Sequence, residues 1–382
     1  RPGQLRGQPV LSWWQGRYVF GVGKIGDYVI MDSSYREIAR FTAPRHRPDF
    51  HEVLLTDHNT LLVTVYETVG ADLTPIGGPS DGLLYGGVIQ ELAVPSGRLL
   101  WEWRSLDHVD LTETVTADQL GSPYDYFHIN GIEVAEDGHL IVSARNTSAI
   151  YKIDRRTGKV VWRLGGKKSD FSMGKGTQFG FQHDARVHEG GRTLSLFDNG
   201  PRAGEGRPES RAIVISLDTR RMQATLKREI RHTRPPLFAF ATGANQLLPN
   251  GNRLVTWGIT GWFTEYDTDG HVCLDAHLSP RGQNYRVYRS PWSGKPTVPP
   301  AFKAYRQGDA ARFYASWNGA TDLAAWKLMT GPRPGQLGES GTYPKRGFET
   351  SFAIPRGTRY ARVIAVDANG NALRASKLTR LF

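Results

Sequence analysis

Three histidines recur at one place in three look-alike segments: His51 in DFHEVLLTDHNTLLVT, His128 in YFHINGIEVAEDGHLIVS and His183 in FGFQHDARVHEGGRTLSLFDN. Each follows closely on an aromatic residue and precedes a polar or glycine turn that runs into a strand-like stretch. A fourth segment, ATGANQLLPNGNRLVTW, keeps the frame with Ala244 or Asn245 where the histidine would stand. Imidazole serves near neutral pH as base, acid, nucleophile or metal ligand. If the segments are equivalent units around one axis, the three rings converge on it. Arg145, which closes the apolar run HLIVSAR, adds a fixed cation with forked donors suited to an oxyanion. Its structural alternative is a salt bridge to Asp184 or Asp198. Asn130, Asp184, Arg186, Asp198 and Asn199 lie near the histidines in sequence and are the candidate substrate-binding residues.

Three imidazoles also make a zinc set with an open position. The close spacings H-x-H and H-E-x-x-H are missing, however, and a neighbouring arginine repels a cation, so no metal is expected. Two other motifs are decoys. GPSDG, at Gly78 to Gly82, fits G-x-S-x-G but lies in a Gly/Pro loop without the strand-turn-helix elbow that exposes a serine nucleophile. LGGKKSD lacks the spacing of a phosphate loop. The single cysteine, Cys273 in HVCLDA, forms no internal disulfide, and its apolar neighbours predict a buried structural thiol.

The elements that would position these groups are strands. Runs such as DYVIMD, TLLVTVY, HLIVSAR and RAIVISLD are bounded by Gly, Asp, Asn and Pro, and long 3.6-period stretches are nearly absent. The chain reads as all-β. Its best unit, FHINGIEVAEDGHLIVSARNTSAIYKIDRRTGKVVWRLGG, predicts four strands with turns at Asp137-Gly138 and Arg156-Thr157-Gly158, the size and pattern of a propeller blade. The first strand of a blade lines the central channel, which puts His51, His128 and His183 at its mouth. Insertions such as ADLTPIGGPSDGLLYGG and NGPRAGEGRPESR belong on a functional face. After the Pro-rich SPWSGKPTVPPAF the texture changes, and SWNGAT with RYARVIAVDANG resembles a fibronectin type III sandwich. The domain reading is residues 1–295 for a catalytic β-propeller and 300–382 for a small β-sandwich.

The net charge of +11 arises from 48 Lys and Arg against 37 Asp and Glu. The basic residues are dispersed over turns, and none of the nucleic-acid-binding motifs is present, so nucleic acid is not an expected partner and a small anionic substrate is. No apolar run approaches the ~20 residues that span a bilayer, and no charged-then-apolar leader opens the chain as given, so no membrane partner is expected. Oligomeric state is not legible.

The string DYFHINGIEVAEDGHLIVSARNTSAIYKIDRRTGKVVWRLGG, with SDF, FGFQHDAR, LSLFDNG, Ser210-Arg211 and LPNGNRLVTWG, resembles the arylsulfate sulfotransferase family, in the branch with actinobacterial and fungal members. The resemblance runs from VLSWWQG to YRVYRSPW, and SWNGAT matches the tail of such proteins. It implies a six-bladed propeller with the active site in its channel. It also implies transfer of a sulfuryl group from a phenolic sulfate ester to a phenol through a sulfohistidine, without nucleotide donor or cofactor, and a secreted or extracytoplasmic location. His183 in QHDAR matches the histidine that becomes sulfated. His128 in FHIN and Arg145 in the S-x-R element match residues that hold the sulfuryl group, and His51 in DFHE matches a further histidine. Where the family reads H-[IV]-N-S, this chain has Gly131 after Asn130, which removes a hydroxyl and some backbone stiffness beside the site. That departure leaves room for an altered acceptor or reaction, and a scaffold recruited for a non-sulfuryl condensation or cyclisation in natural-product assembly is the first alternative; a second is a binding module whose channel merely holds an anion while the C-terminal sandwich mediates attachment.

Overall fold

β-Branched and aromatic residues at alternate positions, broken by glycine turns, leave strands as the stable outcome. The computed structural model describes residues 1–19, 23–200, 209–232, 234–279, 282–307 and 310–381, and among these there is no α-helix. The central part of the insertion NGPRAGEGRPESR, residues 201–208, lies outside the described residues.

Five four-stranded antiparallel meanders follow one another among the described residues. The first is β1 (Pro2–Leu5), β2 (Gln8–Val19), β3 (Gly23–Asp32) and β4 (Glu37–Phe41). The second is β5 (Arg47–Leu55), β6 (Thr60–Ala71), β7 (Gly82–Ala93) and β8 (Leu99–Arg104), with the short β9 (Tyr124–Asp125) parallel to β7. The third is β10 (Ile129–Val134), β11 (Leu140–Ala144), β12 (Ala149–Ile153) and β13 (Val160–Gly165). In the fourth, β14 (Ser172–Met173) runs parallel to the outer edge of β15 (His183–His188), β16 (Thr193–Asp198), β17 (Arg211–Asp218) and β18 (Gln223–Ile230). The fifth is β19 (Ala244–Leu247), β20 (Arg253–Thr256), β21 (Trp262–Tyr266) and β22 (Val272–His277).

Consecutive meanders share cores, and the period of two in the strands explains how. On β11, Leu140, Val142 and Ala144 enter the core shared with the second meander, through Leu62, Trp103 and Phe127, while Ile141 enters the core shared with the fourth, through Leu194, Leu196 and Ile213. β12 does the same with Tyr151 on one side and Ile150 on the other. A strand buried on both faces reads as a continuous apolar run, which is how LIVSA and AIYKI look in sequence. Fully burying each such Leu or Ile stabilises the fold by ~1.5–3 kcal/mol.

The chain divides into two compact units: residues 1–7, 12–30 and 39–290 in the larger, and 8–11, 31–38 and 291–382 in the smaller. Most of the smaller unit is built from β23 (Ala301–Gln307), β24 (Ala310–Ser316), β25 (Ala325–Gly331), β26 (Gly338–Pro344), β27 (Thr350–Ala353), β28 (Tyr360–Val366), β29 (Ala372–Ala375) and β30 (Thr379–Arg380). One sheet, β23-β24-β27, and another, β26-β25-β28-β29, enclose one core of Phe302, Phe313 and Phe352 against Trp326, Leu328 and Val363. One expectation fails here. Cys273 is exposed, because β22 is the outermost strand of its meander and carries no buried residue.

Candidate functional site

Each histidine-bearing segment pairs with its neighbour through a register break. The breaks fall between Pro48 and Val53 on β5, between Ile129 and Gly131 on β10, and between His183 and Arg186 on β15. The fourth segment has no histidine, and its Ala244 to Leu247 pair with Thr256 to Arg253 without a break. A bulge bends a strand and re-aims its side chains. Left-handed backbone accompanies two of these breaks, with φ of 52° at His128 and of 53° and 55° at Phe181 and Asp184, and recurs at Thr242, φ 60°, ahead of the unbroken fourth segment. Left-handed conformations at non-glycine residues cost on the order of 1 kcal/mol each and persist where surrounding contacts enforce them.

Two histidines are backed by carboxylates from their own segments. His51 Nδ1 lies 2.5 Å from Asp49 Oδ2, which also accepts from the Thr64 hydroxyl at 2.9 Å and from the His51 amide at 3.0 Å. His128 Nδ1 lies 2.6 Å from Asp125 Oδ2, and its amide donates to Asp125 Oδ1 at 3.0 Å. Each carboxylate fixes Nδ1 as the hydrogen-bearing nitrogen and turns Nε2 outward. The two rings meet edge-on with centroids 4.9 Å apart, and Tyr66 contacts both.

His183 is held differently. Its Nδ1–H donates to the Asn199 carbonyl oxygen at 2.7 Å, with the Phe181 carbonyl at 3.1 Å, so Nε2 carries the lone pair and accepts from the Thr242 amide at 3.2 Å. Asn199 is itself clamped, donating to the Ala239 and Thr242 carbonyls at 2.6 and 2.9 Å. Burial pushes the His183 pKa well below the usual imidazole range; the Asn199 contact opposes this, while the charges of His51, Arg145 and His128 reinforce it. Tyr285 bridges the group, edge-on to His51 at 5.6 Å and to His183 at 6.1 Å. Arg145 opens a short 3-10 turn after β11 and lies over the Phe181 ring at 4.6 Å, donating to Asn146 Oδ1 at 2.8 Å and to the Phe240 carbonyl at 3.2 Å. The structure thus gathers His51, His128, His183 and Arg145 into one place.

The remaining candidates are buried close to this cluster and bonded to other parts of the protein, although Asn130 Oδ1 has no hydrogen-bond partner among the described residues. Arg186 donates to Glu52 Oε2 at 2.7 Å, to the Ile132 carbonyl at 2.7 Å and to Asp184 Oδ1 at 2.9 Å, and Asp184 Oδ2 accepts from the Asn245 amide at 3.0 Å. Asp198 accepts from Arg211 Nε at 2.8 Å and from the Gly180 and Gly200 amides. Asn130 donates to the Gln182 carbonyl at 2.7 Å. Asp184 and Asp198, offered above as salt-bridge partners for Arg145, are therefore held by Arg186 and Arg211. Glu52 is the hub of the layer, contacted by Arg186, by Arg286 at 2.9 Å and by Arg1 at 3.1 Å. Burial alone would raise its pKa, but the three guanidinium groups outweigh burial and hold it below the usual carboxylate range. Gly131 pairs with Ser143, and a Cβ there would meet Ser143 Cβ at 3.5 Å and Arg286 Nη2 at 3.7 Å, ordinary contacts that distort nothing.

Sequence reading passed over Asp49, Asp125, Glu52, Tyr66, Tyr285 and Arg286. The first two were visible, since DFH and DYFH each place an aspartate just ahead of the histidine. Tyr285 and Arg286 reach the site from a segment after the fifth meander, and no local pattern marks them.

The arylsulfotransferase (ASST) family model matches residues 1–279. No curated protein matches the chain. Among solved structures, a periplasmic gluconolactonase from Pseudomonas aeruginosa is similar at 12% identity and TM-score 0.37, over 97% of this chain and 96% of that one. A calcium-binding regucalcin from Agrobacterium tumefaciens is similar at 15% identity and TM-score 0.34, over 76% and 74%. A virginiamycin B lyase from Staphylococcus aureus is similar at 10% identity and TM-score 0.31, over 86% and 83%.

Proposed function

The chain belongs to the arylsulfotransferase family, and we propose on that premise that it moves a sulfuryl group from a phenolic sulfate ester to a phenol through a sulfated His183. The observation that carries the reading is the grouping of a neutral, tautomer-fixed imidazole with two carboxylate-backed imidazoles and Arg145. In this reading the meanders are blades of a six-bladed propeller over residues 1–295, and residues 300–382 form a fibronectin-like sandwich.

His183 Nε2 attacks sulfur, and the bond from sulfur to the aryl oxygen breaks. The leaving phenolate takes a proton from Nε2–H of protonated His128 or His51, whose Nδ1 remains on its aspartate. Arg145 offsets the negative charge spread over the sulfuryl oxygens. In the second half, the acceptor phenol gives its proton to the same histidine and its oxygen attacks sulfur, so the N–S bond breaks and His183 returns to its neutral form. One hard displacement becomes two easier ones, and ping-pong kinetics follow. Asn199 keeps the His183 ring in the reactive tautomer; Glu52, Arg186 and Asp184 hold the strands that carry the histidines.

The test is incubation with an aryl sulfate donor and a phenol acceptor, with mass analysis of peptides. The expected result is transfer, a sulfated His183 peptide in the absence of acceptor, and loss of both in His183→Ala. Absence of transfer and adduct across a donor panel overturns the reading. Turnover of a non-sulfated substrate that survives His183→Ala and is lost in His128→Ala establishes the non-sulfuryl alternative instead.

A further inference from the structure

We propose that the cavity flanking His51 is the subsite for the aryl ring of the phenolic substrate, and that Trp13 and Tyr288 set the ring size it accepts. The proposal rests on the sulfuryl-transfer reading above. The cavity has a volume of about 300 Å³ and is walled by Trp13, Trp14, Phe50, Tyr285 and Tyr288, with His51 at one side. Five aromatic side chains line one small space, and flat π faces are a surface on which a phenyl ring packs well.

The lining leads to the chemistry. Phe50 stacks on His51 with centroids 4.5 Å apart and planes 26° apart, and meets Trp14 at 5.9 Å and Tyr285 edge-on at 5.6 Å. Tyr285 continues the aromatic surface to His183. The wall is also pre-formed. The indole of Trp14 lies directly against two glycines: a Cβ on Gly16 or Gly26 would come within 2.4 and 2.7 Å of it. A rigid wall keeps the ordering cost of binding low.

Charge fixes the direction of the ligand. The two guanidinium groups that line the cavity, Arg1 and Arg286, are both tied to the Glu52 carboxylate, and Arg286 also to the Asn130 carbonyl, whereas Arg145 stands with His183. An aryl sulfate therefore lies with its ring among the aromatic residues and its sulfate toward the histidines. The volume is at the low end of the ~300–1,000 Å³ typical of small-molecule sites, which suits a one- or two-ring group.

The experiment compares the parent protein with Trp13→Ala and Tyr288→Ala, using 4-nitrophenyl sulfate and 4-methylumbelliferyl sulfate as one- and two-ring donors. Loss of one stacking wall is expected to raise KM about ten-fold, more for the two-ring donor, with kcat within about two-fold of the parent. Trp13→Phe should restore most of the KM. In parallel, saturation-transfer NMR measures binding of 4-methylumbelliferone to His183→Ala, which cannot be sulfated, with and without Trp13→Ala; the signal should fall in the double variant. Unchanged KM in both alanine variants, or an undiminished NMR signal, overturns the subsite. If no donor is turned over by the parent but NMR binding is present and depends on Trp13, the subsite stands and the sulfuryl-transfer reading falls.

Discussion

Glu133 offers a quantitative test of how this protein is held together below its site. It lies on β10, where Oε2 accepts from the Val187 amide at 3.2 Å, and it lines a cavity of about 430 Å³ with Asp57, Glu136 and Arg155. Burial pushes its pKa up to about 7; the charges of Arg186 and Arg1 pull the other way but do not prevail. The sign follows from linkage. The folded state holds a proton that the unfolded state releases, so stability falls as the pH rises from the ordinary carboxylate range through about 7. At about 1.4 kcal/mol per pH unit, a carboxyl titrating near 7 instead of 4.5 costs about 3 kcal/mol of stability once it is ionised in both states. Glu133→Gln keeps an oxygen for the Val187 amide and removes the charge. Urea unfolding, followed by tryptophan fluorescence, should find the variant's advantage smallest near pH 4 and larger by about 3 kcal/mol near pH 8. A difference that does not change with pH refutes the argument, because a packing effect is level with pH and a titration is not.

Other outcomes follow from the same geometry. Arg145→Lys removes the forked donors and should lower kcat/KM by about a hundred-fold, or ~2.7 kcal/mol, in a steady-state assay; a loss under about three-fold would remove Arg145 from the transition state. The ring resonances of His183 should show no protonation between about pH 8 and about pH 6 by NMR, since its folded pKa is depressed; the corresponding stability is complete above about 6.5 and is lost as the pH falls below it. Gly131→Ser should fold with stability within about 0.5 kcal/mol of the parent, because its Cβ meets only ordinary contacts. Gly243→Ala should cost about 3 kcal/mol or more in the same unfolding assay, because φ is 122° and the added carbon would lie 2.2 Å from the Phe197 ring.

The part of this site that was legible from sequence is the part built by repetition. Three segments with one pattern place three histidines alike, and two of them carry their aspartates within three residues, so local spacing encoded both the rings and their orientation. Alternation encoded the strands, as in LIVSA and AIYKI. The bulges that aim the rings left no signature, because a register break depends on the partner strand as well as on the residues that bulge. In the charged layer below, nearness in sequence marked Asp184, Arg186 and Asp198 but not what holds them: Arg186 meets Glu52, far away along the chain, and Asp198 meets Arg211 from the adjacent strand. Cys273 went wrong for a related reason, since apolar neighbours say that a strand forms but not that it becomes the outermost one.

The amide of Thr242 on His183 Nε2 has a consequence for how such a protein waits. The lone pair that would receive sulfur in the proposed reaction already accepts a hydrogen bond, from a residue whose backbone is held in a left-handed conformation and which stands two residues after Phe240, itself tied to Arg145. An electrophile that is to bond this nitrogen must therefore replace the Thr242 hydrogen bond. If His183 is the nucleophile, its reactivity depends on the backbone at Thr242 as well as on the ring itself.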